Sequence, residues 1–272
     1  MATLVEKPFV RSARGSVEIE NLSVCFKRKG QSTHVLDSLN FNINPGEFVC
    51  LLGPSGCGKS TILNVIAGFI QPTEGSVFVD QQLVESPSSD RGFVFQQYSL
   101  LPWKTTFQNV EFGLKIQGVP KSKRKELVDE FLNRVGLYKH RNSYPYQLSG
   151  GMQQRASIIR ALVNSPSVLL MDEPFAALDA QTRQMMQELL LNIWSDLKPT
   201  VVFVTHDIEE ALFLSDRILV MGVNPGRIKA EISVSLERPR HIDSIVSPEF
   251  INLNRQVFEL IREETLKSME LD

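Results

Sequence analysis

The chain has 272 residues, 42% hydrophobic and 22% charged, the proportions of a folded domain rather than an extended polar one. A formal net charge of −2 gives no electrostatic footprint for wrapping a nucleic acid. No stretch approaches the roughly 18 consecutive apolar residues of a membrane-spanning helix, so a role at a membrane would require docking on another protein.

Residues 1–16 carry scattered charge and a proline without the apolar core of a signal peptide, and are expected to form a tail. Residues 17–24 alternate as a half-buried strand does, and residues 39–43 (Leu-Asn-Phe-Asn-Ile) alternate more cleanly. Asn44-Pro45-Gly46 predicts a turn into residues 48–52, which suggests an antiparallel start. From there the strands change character. Residues 48–52, 168–171 and 201–204 are continuous apolar runs, the pattern of parallel strands covered by helices on both faces. Each leads through polar or glycine-rich residues into a helical pattern, the repeat of an α/β domain. Cys50 lies inside the first run as a small buried hydrophobe. With Cys25 and Cys57 it makes an odd set without metal-type spacing, which fits a reducing cytosol.

Between residues 97 and 162 the strand signal vanishes. Helices are predicted over 107–116, 123–135 and 152–163, separated by Gly118-Val119-Pro120 and by residues 141–147, as a helical insert in the sheet domain. Beyond Ile232 and Pro239, a charged helix is predicted over 249–269 as a surface appendage. The expected organisation is a tail (1–16), an α/β domain (17–232, with the insert at approximately 97–162) and a C-terminal appendage (233–272).

Gly53-Pro54-Ser55-Gly56-Cys57-Gly58-Lys59-Ser60-Thr61 fits G-x-x-x-x-G-K-[ST] between a predicted strand and a predicted helix. Glycines let successive N–H groups point at phosphate oxygens, and the helix adds its positive end. Lys59 offers a charge to the β- and γ-phosphates and Ser60 a hydroxyl ligand for Mg²⁺, so the loop predicts ATP binding and hydrolysis. Residues 168–171 then end in Asp172-Glu173. Asp172 is placed to hold the Mg²⁺ shell and Glu173 to act as general base on the attacking water. Alone, these acids could equally cap a solvated strand end.

Leu148-Ser149-Gly150-Gly151-Met152-Gln153-Gln154-Arg155 supplies an N-cap and exposed N–H groups at a helix start. Taken with the phosphate loop and the carboxylate strand, it resembles the signature of the ABC ATPases, over nearly the whole chain and in the right order. The resemblance implies a P-loop NTPase (RecA-like) core with a mainly parallel sheet, an N-terminal antiparallel β subdomain and a helical signature subdomain. It gives Phe26 to adenine stacking and Ser149, Gly150 and Gly151 to the nucleotide. Gln96 falls to the loop that senses nucleotide and transmembrane partner, among the catalytic and Mg²⁺-holding groups. Asp179 falls to the loop crossing the dimer interface, and His206 to the switch histidine that contacts the γ-phosphate. Read without the family, Phe26 is a strand-end aromatic, Gln96 a polar loop residue, Asp179 a helix cap and His206 a histidine at a helix start. Ala176 stands where Ser or Gly commonly precedes Ala-Leu-Asp, and Asp179 is unaffected.

Leu100-Leu101-Pro102-Trp103, the segment Glu173-Pro174-Phe175 through Arg183, and Asn224-Pro225-Gly226-Arg227-Ile228 are similar to the importer branch serving nitrate, sulfonate, taurine and bicarbonate. That branch implies a peripheral subunit on the cytoplasmic face of the inner membrane. It pairs with a second ATP-binding subunit, identical or paralogous, beneath a separate permease, and meets a solute-binding protein indirectly. Residues 98–103 form an apolar surface suited to a coupling helix, or else a hinge buried between sheet and insert. Competing readings are a soluble ABC ATPase acting on nucleic acid or translation, an exporter half, and a P-loop kinase. The first lacks zinc motifs, coiled coils or a basic face here, the Leu-Leu-Pro-Trp segment favours import over export, and a kinase would leave Ser149–Arg155 and His206 without purpose.

Overall fold

The computed structural model describes residues 14–28 and 31–269, so nearly all of the expected tail lies outside the described residues. The chain begins with strands β1 (Val17–Arg28), β2 (Gln31–Ile43) and β3 (Phe48–Leu52), helix α1 (Lys59–Ala67), and strands β4 (Glu74–Val79), β5 (Gln82–Leu83) and β6 (Arg91–Val94). Four helices follow: α2 (Thr106–Val110), α3 (Phe112–Ile116), α4 (Lys121–Arg134) and α5 (Gly150–Leu162). Then come β7 (Val168–Asp172), α6 (Ala180–Leu197), β8 (Thr200–Thr205), α7 (Ile208–Leu214), β9 (Arg217–Gly222), β10 (Arg227–Ser233) and α8 (Pro248–Met269).

The three apolar runs are β3, β7 and β8, adjacent strands in a six-stranded sheet of order β10-β9-β3-β8-β7-β6. Every pair in it is parallel except β10 with β9. Each run is two interleaved alternations. Phe48, Cys50 and Leu52 of β3 join a cluster with helices α2–α8, while Val49 and Leu51 join another with α1 and a second sheet. That second sheet, β2-β1-β4-β5, is wholly antiparallel. Asn44-Pro45-Gly46 does turn the chain, with Glu47 N–H donating to Asn44 O at 3.1 Å. It carries the backbone from one sheet to the other and closes no hairpin between β2 and β3; the antiparallel start comes from β1 pairing with β2 and β4.

The predicted helix over 107–116 is two helices. Glu111 both ends α2 and begins α3 with helical φ and ψ of −69° and −12°, so the axis bends while the chain stays helical. Tertiary contacts hold the bend: the Glu111 carboxylate accepts from Arg124 Nε at 3.1 Å, and Gly113 lies against the Asn164 side chain.

The helix predicted over 249–269 is α8, and its inner face is part of the core. Phe250 and Val257 are buried in the same cluster as Phe48 and Phe203. Glu264, 3% exposed, pairs with Lys229 and Lys267 and accepts from Val223 N–H at 3.2 Å. Ahead of it, Arg240 donates to the carbonyls of Leu212, Phe213 and Ser215, satisfying the C-terminal end of α7 with a cation. Burial and the nearby Arg238 push the pKa of Arg240 down to about 10. Phe250→Ala should therefore cost about 3–5 kcal/mol in urea denaturation, whereas Glu259→Ala on the exposed side should change stability by no more than about 0.5 kcal/mol. Equal small effects would show that α8 is not part of the cooperative core.

Candidate active site

The carboxyl ends of β3, β7 and β8 lie side by side, because register pairs Leu52 with Thr205 and Asp172 with Val204. The loop after β3, the acids after β7 and the histidine after β8 therefore emerge at one edge of the sheet. This is where ligands bind in open α/β sheets.

The loop of residues 53–61 wraps the start of α1. Gly56 and Gly58 have φ of +82° and +95°, a backbone region that L side chains rarely adopt. Gly58 is also crowded, since a Cβ there would lie 2.4 Å from Leu36 Cδ2 of β2. Gly226, in the loop between β9 and β10, packs so closely that a Cβ would meet Cys57 O at 2.2 Å. Lys59 is 5% exposed, and its ammonium donates to Gly53 O at 2.7 Å and Pro54 O at 2.8 Å. Cys57 Sγ lies 3.8 Å from the same ammonium, and burial raises the Cys57 pKa despite that charge.

Ser60 Oγ donates to Asp172 Oδ1 at 2.9 Å, joining the loop to the end of β7. Burial raises the Asp172 pKa, the adjacent Glu173 adds to the effect, and the Ser60 bond opposes it. A hydroxyl and a carboxylate in this contact form the oxygen donor set that Mg²⁺ prefers, so the residues present fit that ion. Glu173 takes φ +42°, a left-handed conformation rare for any residue but glycine, with its N–H donating to Val204 O at 3.0 Å. Its carboxylate Oε2 then lies 3.2 Å from His206 Nδ1. His206 is exposed on its other side.

Among the described residues, none of the remaining sequence-predicted residues hydrogen-bonds to this cluster. Phe26 is 41% exposed on β1, opposite Thr33 and just beyond the stretch of β2 that covers Gly58. Gln96 is exposed past the end of β6. Ser149 caps α5 by accepting from Met152 N–H at 3.4 Å, and Asp179 caps α6 by accepting from Thr182 N–H at 3.0 Å. That backbone bond lowers the Asp179 pKa. These two caps are neighbours, because a Cβ on Gly151 would lie 2.8 Å from Thr182 Cγ2. Among the described residues, no hydrogen bond joins Ser149, Gly150 or Gly151 to the phosphate loop.

The contacts that support these residues carry no sequence motif of their own. The Tyr98 hydroxyl lies 2.9 Å from the Cβ position of Gly150, and Arg160 of α5 donates to Ser99 O at 2.6 Å. Arg183, Gln187, Asp207 and Glu210 link the starts of α6 and α7. The only local signal was the spacing Asp207-x-x-Glu210 before a helix. Trp103 is 70% exposed and Ile116 72% exposed. Between β6 and the insert lies an open groove of about 390 Å³, lined by Phe93, Leu101, Phe112, Ile116, Arg91 and Arg160 among others. Among the described residues, no helix is long and apolar enough to cross a membrane.

The profile of the ABC transporter family matches residues 36–176. An uncharacterized ABC transporter ATP-binding protein of Methanocaldococcus jannaschii is 49% identical over 254 residues, 93% of this chain and 94% of its own length. The chain belongs to the ABC transporter family. It is an ATP-binding, ATP-hydrolysing cassette. The nitrate import ATP-binding protein of Synechocystis is 45% identical over 90% of this chain and 95% of its own. The taurine import ATP-binding protein of Rhizobium johnstonii is 45% identical over 93% and 99%. The solved dimer of an ATP-binding cassette in a post-hydrolysis state with ADP and Pi superposes with a TM-score of 0.72. It is 36% identical, covering 81% of this chain and all of that one.

Gly58→Ala tests the geometry of this cassette's loop. The left-handed backbone alone should cost about 1–3 kcal/mol of stability, and the clash with Leu36 should also weaken ATP binding, read by fluorescent-nucleotide titration. Gly118→Ala, also left-handed but in open space, should leave nucleotide binding unchanged.

Proposed function

We propose that the chain is the ATPase subunit of an ABC importer that takes up a small anionic solute of the nitrate, sulfonate, taurine or bicarbonate class. The printed names of relatives at 45% identity support the solute class. The convergence of residues 53–61, Asp172, Glu173 and His206 on one sheet edge carries the chemistry.

Residues 53–61 hold the triphosphate through loop N–H groups and the α1 terminus, and Lys59 exchanges its loop carbonyls for phosphate oxygens. Ser60, Asp172 and Gln96 would hold Mg²⁺, which neutralises charge on the β- and γ-phosphates. Glu173 accepts the proton of the attacking water, and His206 orients that carboxylate and contacts the γ-phosphate. Phe26 stacks on adenine. Ser149, Gly150 and Gly151 act on the nucleotide of a second ATP-binding subunit in a head-to-tail pair, with Asp179 at the interface. That no hydrogen bond joins them to residues 53–61 among the described residues supports this, as does the dimeric form of the similar cassette. ATP then favours the closed pair, and hydrolysis removes the contacts that close it.

The exposed Trp103 and the adjoining groove support docking of a permease at the cytoplasmic face of the membrane, with the solute-binding protein reached only through it. Residues 17–232 are the ATPase domain, with the helical subdomain at approximately 97–162 inserted, and the closing and opening of the pair moves the permease.

Glu173→Gln should bind ATP, lose about 10²- to 10⁴-fold in turnover and accumulate closed dimer by size exclusion; near-normal turnover removes Glu173 as the base. Ser149→Arg should spare ATP binding by the monomer and block hydrolysis, and undiminished turnover would exclude the composite site. For transport itself, the tagged chain should co-purify with an integral membrane permease from gently solubilised membranes. Recovery of only soluble nucleic-acid or ribosomal proteins would overturn that assignment.

A further inference from the structure

Behind Glu173 and His206, the first two turns of α6 grip the first turn of α7. Arg183 donates through Nη2 to Leu178 O at 3.1 Å and sets Nη1 at 3.5 Å from Asp207 Oδ2. Leu178 and Asp179 end the segment that leads into α6, while Asp207 follows His206 and caps α7 by accepting from Glu210 N–H at 3.0 Å. One turn further along α6, Gln187 donates to the buried Glu210 carboxylate at 3.1 Å. Glu210 also bonds the Thr205 hydroxyl, and that hydroxyl in turn accepts from Asp207 N–H at 3.0 Å. Of the two residues flanking His206, Asp207 is thus held directly by Arg183 of α6, and Thr205 indirectly, through Glu210 of α7 and Gln187 of α6. Below it, Glu173, Phe175, Ala176, Arg183 and Glu210 line one small cleft.

We infer that Arg183 is a positioning residue: its two-pronged contact ties the segment ending at Asp179 to the turn bearing His206, and so sets the Glu173–His206 pair for hydrolysis. The inference rests on the roles given above to Glu173, His206 and Asp179. A guanidinium suits the task because its planar fork reaches two acceptors at once, which an ammonium on a flexible stem does not. The pair with Asp207 is partly exposed, so it contributes little to global stability. Its work is geometric. A displacement of residues 177–179 by a second subunit would move Arg183, and through Asp207 the histidine turn, so that hydrolysis waits on closure of the pair. A misplaced catalytic group can cost about 10²-fold in rate.

Steady-state ATPase assays with thermal unfolding test this on the full chain. Arg183→Met should lower kcat by about tenfold or more, leave KM for ATP within about twofold, and move Tm by no more than about 3 °C. Arg183→Lys should remain slow, because it keeps the charge and loses the fork. Asp207→Asn retains a good N-cap and should lose a similar factor, and the double variant should be no slower than the worse single one. Wild-type kcat in Arg183→Met, full rescue by lysine, or additive losses in the double variant would each overturn the inference. Glu173→Gln runs alongside. If it loses turnover while Arg183→Met does not, only the positioning role fails; if it turns over normally, the reading beneath that role fails as well.

Discussion

Three adjacent parallel strands end at the same level, and the chemistry of the cassette depends on that alignment. β3, β7 and β8 are buried on both faces, so each must place apolar residues alternately toward a helix layer on one side and toward α1 and the antiparallel sheet on the other. A slip of one residue in any of them would exchange the faces of the whole strand, which fixes the register firmly. With the register fixed, Gly53, Asp172 and His206 leave the core beside one another. Lys59 can then sit nearly buried with, among the described residues, no ion pair to an acid, its charge met by loop carbonyls. The Ser60–Asp172 bond spans the loop of one strand and the end of another at hydrogen-bond distance.

Much of this was legible in the sequence because the motifs and the apolar runs describe the same strands. The phosphate loop had to follow a strand and open a helix, and residues 48–52 and α1 satisfy both conditions. What the sequence left unread was set by partners distant along the chain. The edge strand β6 is four residues with a glycine, too short to signal itself. The Ile218–Met221 stretch of β9 is a brief apolar run that periodicity alone cannot distinguish from buried helix. The bend at Glu111 depends on Arg124 and Asn164, and the buried face of α8 depends on a sheet edge formed elsewhere.

The candidate site was legible as residue types and illegible as relations among them. His206 and Glu173 were both named from motifs, yet their 3.2 Å contact is made from a Glu173 at positive φ, which no motif announces. Asp179 and Ser149 have a structural use as helix caps within one chain, as well as the roles proposed for them across an interface. A cap holds the backbone N–H groups and the side chain of its helix start in fixed relation. The same local geometry that stabilises each helix therefore presents it to a neighbouring subunit.

The last helix has a mechanical consequence. Glu264 of α8 holds the N–H of Val223 at the end of β9, and three residues later Gly226 presses directly on the backbone of Cys57 within the phosphate loop. Only a short, tightly packed bridge separates the chain's final helix from the ATP site. A module grafted behind α8 would bear, through Val223 and Gly226, on the backbone of residues 53–61 without touching it. By the same geometry, a bulky engineered fusion there risks reporting on a strained cassette.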